Sequence, residues 1–237
     1  MGEAVRETLA ARLAAVEERL GRALGRAGRS RPDVTLVAVT KTVGPEVAAL
    51  LPSLGIRDLG ESRPQELWRK AAALADAVRW HLVGHLQRNK IERTLPLTAR
   101  VHSVDSVRLL RALEEEAARR RTALPALLEV NAGGEASKHG FRPDDLPALA
   151  GEVAGLRWLR VDGLMTMAAY EEDPERTRPT FALLRRLRDD LRRRLSQPDG
   201  LPHLSMGMSN DFEVAVEEGA TMVRLGTVLF EGLTDGA

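Results

Sequence analysis

Lys41 is the residue best placed for covalent chemistry. It follows the apolar run Val34–Val39, and it is one of only four lysines, with Lys70, Lys90 and Lys138, in an arginine-rich chain. An amine at the mouth of a buried strand is expected to give up its proton more readily than one on a solvated helix, because burial disfavours the charged form. A neutral lysine condenses with aldehydes. The small polar neighbours Thr40 and Thr42 suit the rim of a site. The plain alternative is a surface lysine with a packed stem and a hydrated head.

Two segments near the C-terminus are suited to holding a phosphate. Ser205-Met206-Gly207-Met208-Ser209-Asn210-Asp211 follows a short strand and is expected to open a helix. There glycine allows close backbone approach, and Ser209 and Asn210 can donate at a helix start. An ordinary helix cap would look similar. Arg224-Leu225-Gly226-Thr227 ends a strand, and Gly226 exposes backbone amides. An aldehyde-capturing amine together with a phosphate cradle is the minimal equipment for binding pyridoxal phosphate. Arg224 is then a candidate partner of the pyridine nitrogen. A guanidinium keeps its proton and accepts no hydrogen bond, so the ring nitrogen would stay unprotonated and the ring would be a poorer electron sink. A surface ion pair is the alternative for Arg224.

Further candidates carry less. The polar loop Val130–Gly140 offers Asn131 as a hydrogen-bonding wall and Lys138 as a second amine, or is simply a solvated loop. His81 and His85 invite a metal reading, but four-residue spacing brings side chains together on a helix and this stretch reads as a strand and its exit; no metal is expected. Met165 and Met167 are expected to line an interior. The run Arg185–Arg194 reads as the solvated face of an amphipathic helix, with nucleic-acid binding a minor alternative.

The elements that must position these residues alternate along the chain. A leading amphipathic helix is expected from about Glu3 to Leu24, within residues 1–30, closed by Gly25 and Gly28. Strand-like runs follow at Val34–Val39, Ile56–Leu59, Trp80–Val83, Arg100–Ser103, Ala126–Val130, Trp158–Leu164, His203–Ser205 and Met222–Leu225. Helix-like stretches lie at Pro45–Leu54, Pro64–Ala75, Asn89–Leu95, Ser106–Arg121, Pro143–Ala154, Pro174–Leu195 and Asn210–Glu218. Eight such units in about 200 residues predict a (β/α)8 TIM barrel with an additional N-terminal helix, as one domain over residues 1–237. The phosphate segments then follow strands seven and eight, where barrels of this type often bind phosphate. An open doubly wound sheet is the rival, weakened by the lone Gly44 after the first strand.

Composition excludes several classes. The net charge is +1, which exerts no broad pull on nucleic acid or membrane. There is no cysteine, hence no disulfide, thiolate metal site or thiol nucleophile. The N-terminus lacks the apolar core of a signal peptide, and no stretch approaches a membrane span. Met1-Gly2 resembles the start of a myristoylation signal, but Arg6 stands where Ser or Thr is needed. A cytoplasmic protein is expected.

With these residues laid out, the chain resembles the pyridoxal phosphate homeostasis family, single-domain relatives of the alanine racemase barrel. The likeness runs from about Val34 to Phe230. It rests on VTKT around Lys41, LGES at Leu59–Ser62 with Gln65-Glu66, WHLVGHLQRNK at Trp80–Lys90, VN…SKHG at Val130–Gly140, GLMTM at Gly163–Met167, LSMGMSND at Leu204–Asp211 and VRLGTVLF at Val223–Phe230. The chain departs from the usual family pattern at Ser62, where Asn is common, and at Glu231, which precedes Gly232. The resemblance implies that Lys41 carries the cofactor as a Schiff base. It implies that Ser209, Gly226 and Thr227 hold the phosphate, with Met208 in the same segment, that Arg224 faces the ring nitrogen, and that Asn131 and Lys138 sit near the pocket. It implies a cytosolic carrier without a defined turnover, whose partners are the cofactor and apoenzymes that use it.

Three functions compete. In the first, a non-catalytic carrier or buffer, the second base of a racemase is missing, the only tyrosine is Tyr170 with no motif around it, and Arg224 argues against carbanion stabilisation. The second is an amino-acid racemase on the same lysine. The third is a Schiff-base aldolase acting on a phosphosugar without cofactor. A monomer is expected, though the N-terminal helix could pair.

Overall fold

Alternating short apolar runs and amphipathic stretches close the chain into a ring. In the computed structural model, which describes residues 2–74, 78–135 and 139–233, eight parallel strands form a closed barrel in sequence order. They are β1 (Thr35–Val39), β2 (Asp58–Glu61), β3 (Arg79–Leu82), β4 (Arg100–Val104), β5 (Leu124–Glu129), β6 (Leu159–Met165), β7 (His203–Ser205) and β8 (Met222–Leu225). Closure is made by β8 on β1, with Val37 opposite Arg224. The open-sheet alternative is thereby excluded.

The helices are α1 (Gly2–Arg26), α2 (Pro45–Ala48), α3 (Pro64–Leu74), α4 (Ile91–Thr94), α5 (Val107–Arg120), α6 (Leu146–Ala154), α7 (Arg178–Arg194), α8 (Phe212–Glu217) and α9 (Thr227–Phe230). Several are shorter than their sequence pattern because proline removes an amide and disfavours helix before it. The stretch 45–54 breaks into α2 and a 3-10 turn at Leu51–Leu54 around Pro52, and Gly55 ends it at φ 84°. Similarly, α4 is one turn flanked by 3-10 turns, the second containing Pro96. The α9 turn has no counterpart in the sequence reading.

Successive strand residues face opposite ways, and the two faces differ in kind. The outward set, including Leu36, Ala38, Leu59, Leu82, Val101, Leu128, Leu164, Leu204 and Val223, joins the helices in one continuous core with Leu67, Leu113, Phe181 and Phe212. The inward set has only a small apolar cluster, Leu127, Met165 and Met222. The rest of the interior carries buried polar groups, among them His81, His102, Ser205 and Arg224.

The additional helix is structural. Leu9, Val16 and Leu20 of α1 are fully buried, each contributing roughly 1.5–3 kcal/mol. They pack on the side of the barrel closed by α8 and α9. Arg19 forks onto Glu213 at 2.7 and 2.8 Å, and Arg12 donates to the Leu229 carbonyl at 2.9 Å. The apolar face that could have paired with a second chain is thus covered from within. Gly28, at φ 64°, turns the chain out of α1. Among the described residues no helix is long and apolar enough to cross a membrane.

Candidate functional site

The C-terminal ends of the strands bring most of the sequence candidates to one mouth. Thr40, just past β1, is fully buried. Its amide donates to the Gly60 carbonyl at 2.9 Å, and its hydroxyl donates to Glu61 at 3.0 Å. Lys70, from α3, donates to the Thr40 carbonyl at 2.6 Å and pairs with Glu61, both side chains at most 1% exposed. The peptide entering Lys41 is therefore held by a buried ion pair on a neighbouring helix and strand. This accounts for Glu61 in the LGES segment, a role the sequence did not reveal.

One expectation fails here. Lys41 is exposed, not buried. The chain leaves β1 at Thr40 and turns, Val43 donating to the Thr40 carbonyl at 3.1 Å, so residue 41 falls on the open side of that turn. Among the described lysines the buried one is Lys70, and its donors are committed to Glu61 and Thr40.

Arg224, by contrast, lies inside the barrel at 4% exposure. The surface-ion-pair reading is excluded. Its Nη1 donates to Ser205 Oγ at 2.6 Å and its Nη2 to the Thr166 carbonyl at 2.9 Å. Both acceptors are neutral, and no carboxylate pairs with it among the described residues. Burial lowers its pKa to about 10, opposed by Asp211 and Glu129, so the guanidinium stays charged at neutral pH. A buried cation whose hydrogen bonds go to neutral groups, with the Asp211 and Glu129 charges near it but not bonded to it, is costly. Its persistence fits a site that brings an acceptor of its own.

The two phosphate-type segments lie side by side. Ser209 Oγ accepts from the Val228 amide at 3.2 Å, tying the loop after β7 to the loop after β8. No backbone carbonyl accepts from the amides of Ser209, Asn210 or Thr227 among the described residues. The backbone is close-packed at Gly226, where a Cβ would lie 3.2 Å from the Val39 carbonyl oxygen. At Gly207 (φ 92°) a Cβ would collide with Ala215 at 2.6 Å. Helix α8 begins at Phe212, two residues later than expected, because Met208 and Asp211 close a turn first: Met208 N donates to Asp211 Oδ1 at 2.6 Å, and Asp211 N donates to the Met208 carbonyl at 3.1 Å. Asn210 directs one of its two side-chain N–H donors to the Glu171 carbonyl at 2.7 Å, which ties the side chain to the loop after β6.

On the β5 side, Asn131 donates to the Glu135 carbonyl at 2.7 Å, and its buried Oδ1 has no partner among the described residues. Lys138 lies outside the described residues. Glu129, the last residue of β5, is raised to about 7 by burial and by the Asp105 charge, against Arg224 and His85. The two histidines weighed together in the sequence part company. His81 is inside the barrel, while His85 is at the rim, where one ligand atom from each of His85, Asp105 and His139 falls within 4.8 Å of the others. Met165 is interior as expected; Met167 is not, being 37% exposed at the mouth.

Sequence reasoning named Ser205 only as the start of the phosphate segment, and missed His102, Glu129 and the Glu61–Lys70 pair. A period-two count would have found Ser205 and His102, since Arg100-x-His102, His203-x-Ser205 and Met222-x-Arg224 repeat polar or soft residues on the inward face of apolar strands.

Mouth, cradle and barrel define a class that comparison with known proteins makes specific. The alanine racemase N-terminal domain model matches residues 12–233. Pyridoxal phosphate homeostasis proteins are 44% identical in Aquifex aeolicus, over 92% of this chain and 96% of the relative, and 42% identical in Pseudomonas aeruginosa, over 97% and 98%. The human protein of that name is 35% identical over 92% of this chain and 84% of its own length. Among solved structures, PipY of Synechococcus elongatus with pyridoxal phosphate bound superposes with a TM-score of 0.82 at 32% identity, covering 94% of this chain and 99% of PipY. Alanine racemase of Corynebacterium glutamicum, 18% identical with a TM-score of 0.73 over 98% of this chain and 62% of the racemase, shares the fold. The chain belongs to the alanine racemase N-terminal domain family and, within it, to the pyridoxal phosphate homeostasis proteins.

Proposed function

We propose that residues 1–237 act as one barrel domain that binds pyridoxal 5′-phosphate at its C-terminal mouth and serves as a carrier or buffer of that cofactor inside the cell. Lys41 would hold the aldehyde carbon. Ser209, Gly226 and Thr227 would hold the phosphate, with Met208 in the same loop, and Arg224 would meet the ring nitrogen. Asn131 and Lys138 would wall the β5 side. Relatives are named pyridoxal phosphate homeostasis proteins, and one similar protein, PipY, has been solved with the cofactor, which supports the reading.

The observation that carries this reading is Arg224: a charged donor inside the barrel whose hydrogen bonds, among the described residues, go to neutral acceptors. When bound, pyridoxal phosphate supplies an aldehyde for an amine and a ring that can withdraw electrons. A guanidinium at the ring nitrogen donates to it without protonating it, which limits that withdrawal and favours holding over turnover. Thr40, Glu61 and Lys70 fix the backbone under Lys41. The amides around Ser209 and Thr227 receive the anionic end. Apoenzymes that need the cofactor are the partners proposed, met in the cytoplasm by a monomer.

The test is spectroscopic. Purified protein should gain a visible band with pyridoxal phosphate, and borohydride followed by peptide mapping should tag Lys41. Lys41→Ala should abolish band and tag while leaving the apoprotein's stability within about 0.5 kcal/mol, as for other exposed positions. A tag on another lysine, or no band in the wild type, overturns the assignment. Substantial inversion of enantiopure amino acids, with deuterium uptake, would replace the carrier reading by the racemase one.

A further inference from the structure

Five side chains are hydrogen-bonded in series through the barrel. Arg224 Nη1 donates to Ser205 Oγ at 2.6 Å. Ser205 Oγ lies 2.9 Å from His102 Nδ1, His102 Nε2 lies 2.8 Å from His81 Nδ1, and His81 Nε2 lies 2.9 Å from Asp58 Oδ1. Asp58 is the first residue of β2, at the barrel floor, where Arg79 forks onto it from β3. Ser205, His102 and His81 are at most 4% exposed.

The two ends fix the order of the protons between them. A guanidinium only donates and a carboxylate only accepts. Ser205 Oγ accepts from Arg224, so its single proton points to His102 Nδ1. His102 must then carry its proton on Nε2 and donate to His81 Nδ1, and His81 must carry its own on Nε2 and donate to Asp58. This arrangement satisfies every atom with both imidazoles neutral. The reverse order needs an added proton on His81 and leaves the Ser205 hydroxyl hydrogen without an acceptor. Burial disfavours that proton: it lowers the pKa of His81 and lowers that of His102 strongly.

The other charged and titratable groups facing the pair point the same way. Arg79 on β3, Arg100 on β4 and Arg224 on β8 repel a further positive charge. Burial lowers His203 on β7 to about 4, so it stays neutral. Asp162 on β6 is engaged by Arg100 at 2.8 Å. Glu129, at the end of β5, acts on Arg224.

We propose that Asp58, His81, His102 and Ser205 form a proton-ordered chain along the barrel axis that holds Arg224 as a donor-only partner for the bound ring, coupling the floor of the barrel to the cofactor at its mouth. His81, His102 and Asp58 are positioning residues acting through Ser205. The link to the ring rests on the cofactor reading above; the proton order does not.

Two measurements test this separately. In the apoprotein, long-range 15N correlation spectra should show both His81 and His102 as the Nε2–H tautomer, with no titration between about pH 5.5 and 8.5, where an ordinary imidazole titrates. An Nδ1–H tautomer or an imidazolium at either residue in that range overturns the proton order. In the loaded protein, His102→Leu should weaken cofactor retention about tenfold, the scale of one hydrogen bond supporting a charged group, and shift the pH dependence of the visible band. His102→Gln can accept from Ser205 through its carbonyl and donate to His81 through its amide, and should restore both. Asp58→Ala should shift the band's pH dependence in the same sense as His102→Leu. Leu and Gln variants that behave alike, or an Asp58 variant with an unchanged band, overturn the coupling. If His102→Leu does not fold, the wild-type tautomers and the Asp58 variant still decide. A wild type that takes up no cofactor sinks the cofactor reading and leaves the tautomer result standing.

Discussion

Two arginines inside the same barrel are treated in opposite ways. Arg100, at the floor, opens β4 and meets Asp162 Oδ2 at 2.8 Å, with the Met222 sulfur at 3.5 Å. Arg224, at the mouth, meets only a hydroxyl and a carbonyl. The floor closes its charges on themselves: Arg79 and His81 converge on Asp58 and hold it below the usual carboxylate range against the opposing effect of burial. Among the described residues, the mouth leaves a cation with no carboxylate bonded to it, a set of amides and an exposed lysine without such direct closure. In barrels the C-terminal face carries chemistry and the N-terminal face carries stability. Here the difference is written in counter-ions.

Removing each guanidinium sharpens the contrast most. Arg100→Met leaves Asp162, a carboxylate already raised by burial, with only the longer ion pair to the exposed Arg160 at 3.7 Å among the described residues. Urea melts should show a loss of about 3 kcal/mol, the cost of breaking a buried pair from one side. Arg224→Met removes a buried charge that is eased only at a distance by Asp211 and Glu129, together with two hydrogen bonds; the two losses oppose each other, and stability should stay within about 1 kcal/mol of wild type. Yet Arg224→Met should weaken cofactor retention more than tenfold, with Arg100→Met causing less when measured on folded protein. Equal stability losses in the two variants would erase the distinction between floor and mouth.

The floor and the mouth were also unequally legible in the sequence. All eight strands could be located to within two residues because each holds apolar residues between helix punctuation, although β2 lies at Asp58–Glu61 rather than Ile56–Leu59 and β5 begins at Leu124 rather than Ala126, and barrel closure follows from their number. Lys41, Ser209, Arg224, Gly226 and Thr227 could be named as candidates because the proposed chemistry asks for those residue types after particular strands. Exposure of Lys41 stood only as the alternative there, since it depends on where the chain turns after Thr40. The interior chain was illegible for a different reason: Asp58, His81, His102 and Ser205 come from four strands, and only the barrel's stagger makes them neighbours. Likewise Lys70 looked like any helix lysine until α3 placed it against Glu61.

Glu129 gives the comparison a pH axis. Its folded pKa is about 7, raised first by burial and then by Asp105, against an ordinary value of 4.5. The folded state therefore binds a proton that the unfolded chain has released, and stability falls as pH rises from about 4.5 to about 7. Above that window the penalty is about 3 kcal/mol from a shift of this size. Glu129→Gln keeps the shape without the charge. It should be more stable than wild type by about 2 kcal/mol at pH 8, the gain shrinking to nothing near pH 4. Paired urea melts across that range read it directly. A gain of the same size at both ends would show that packing, not ionisation, is responsible.

Ser209→Ala probes the mouth most gently. The hydroxyl accepts one hydrogen bond, from Val228 at 3.2 Å, and the backbone amides around it survive the change. Cofactor retention should fall about tenfold, the scale of one lost hydrogen bond to an anion, while the visible band keeps its position because Lys41 and Arg224 are untouched. Stability of the apoprotein should move by less than about 1 kcal/mol. Fluorescence titration with pyridoxal phosphate separates the two quantities. An unchanged affinity would mean that the backbone amides alone hold the phosphate, and a displaced band would mean that Ser209 also sets the angle at which the ring meets Arg224.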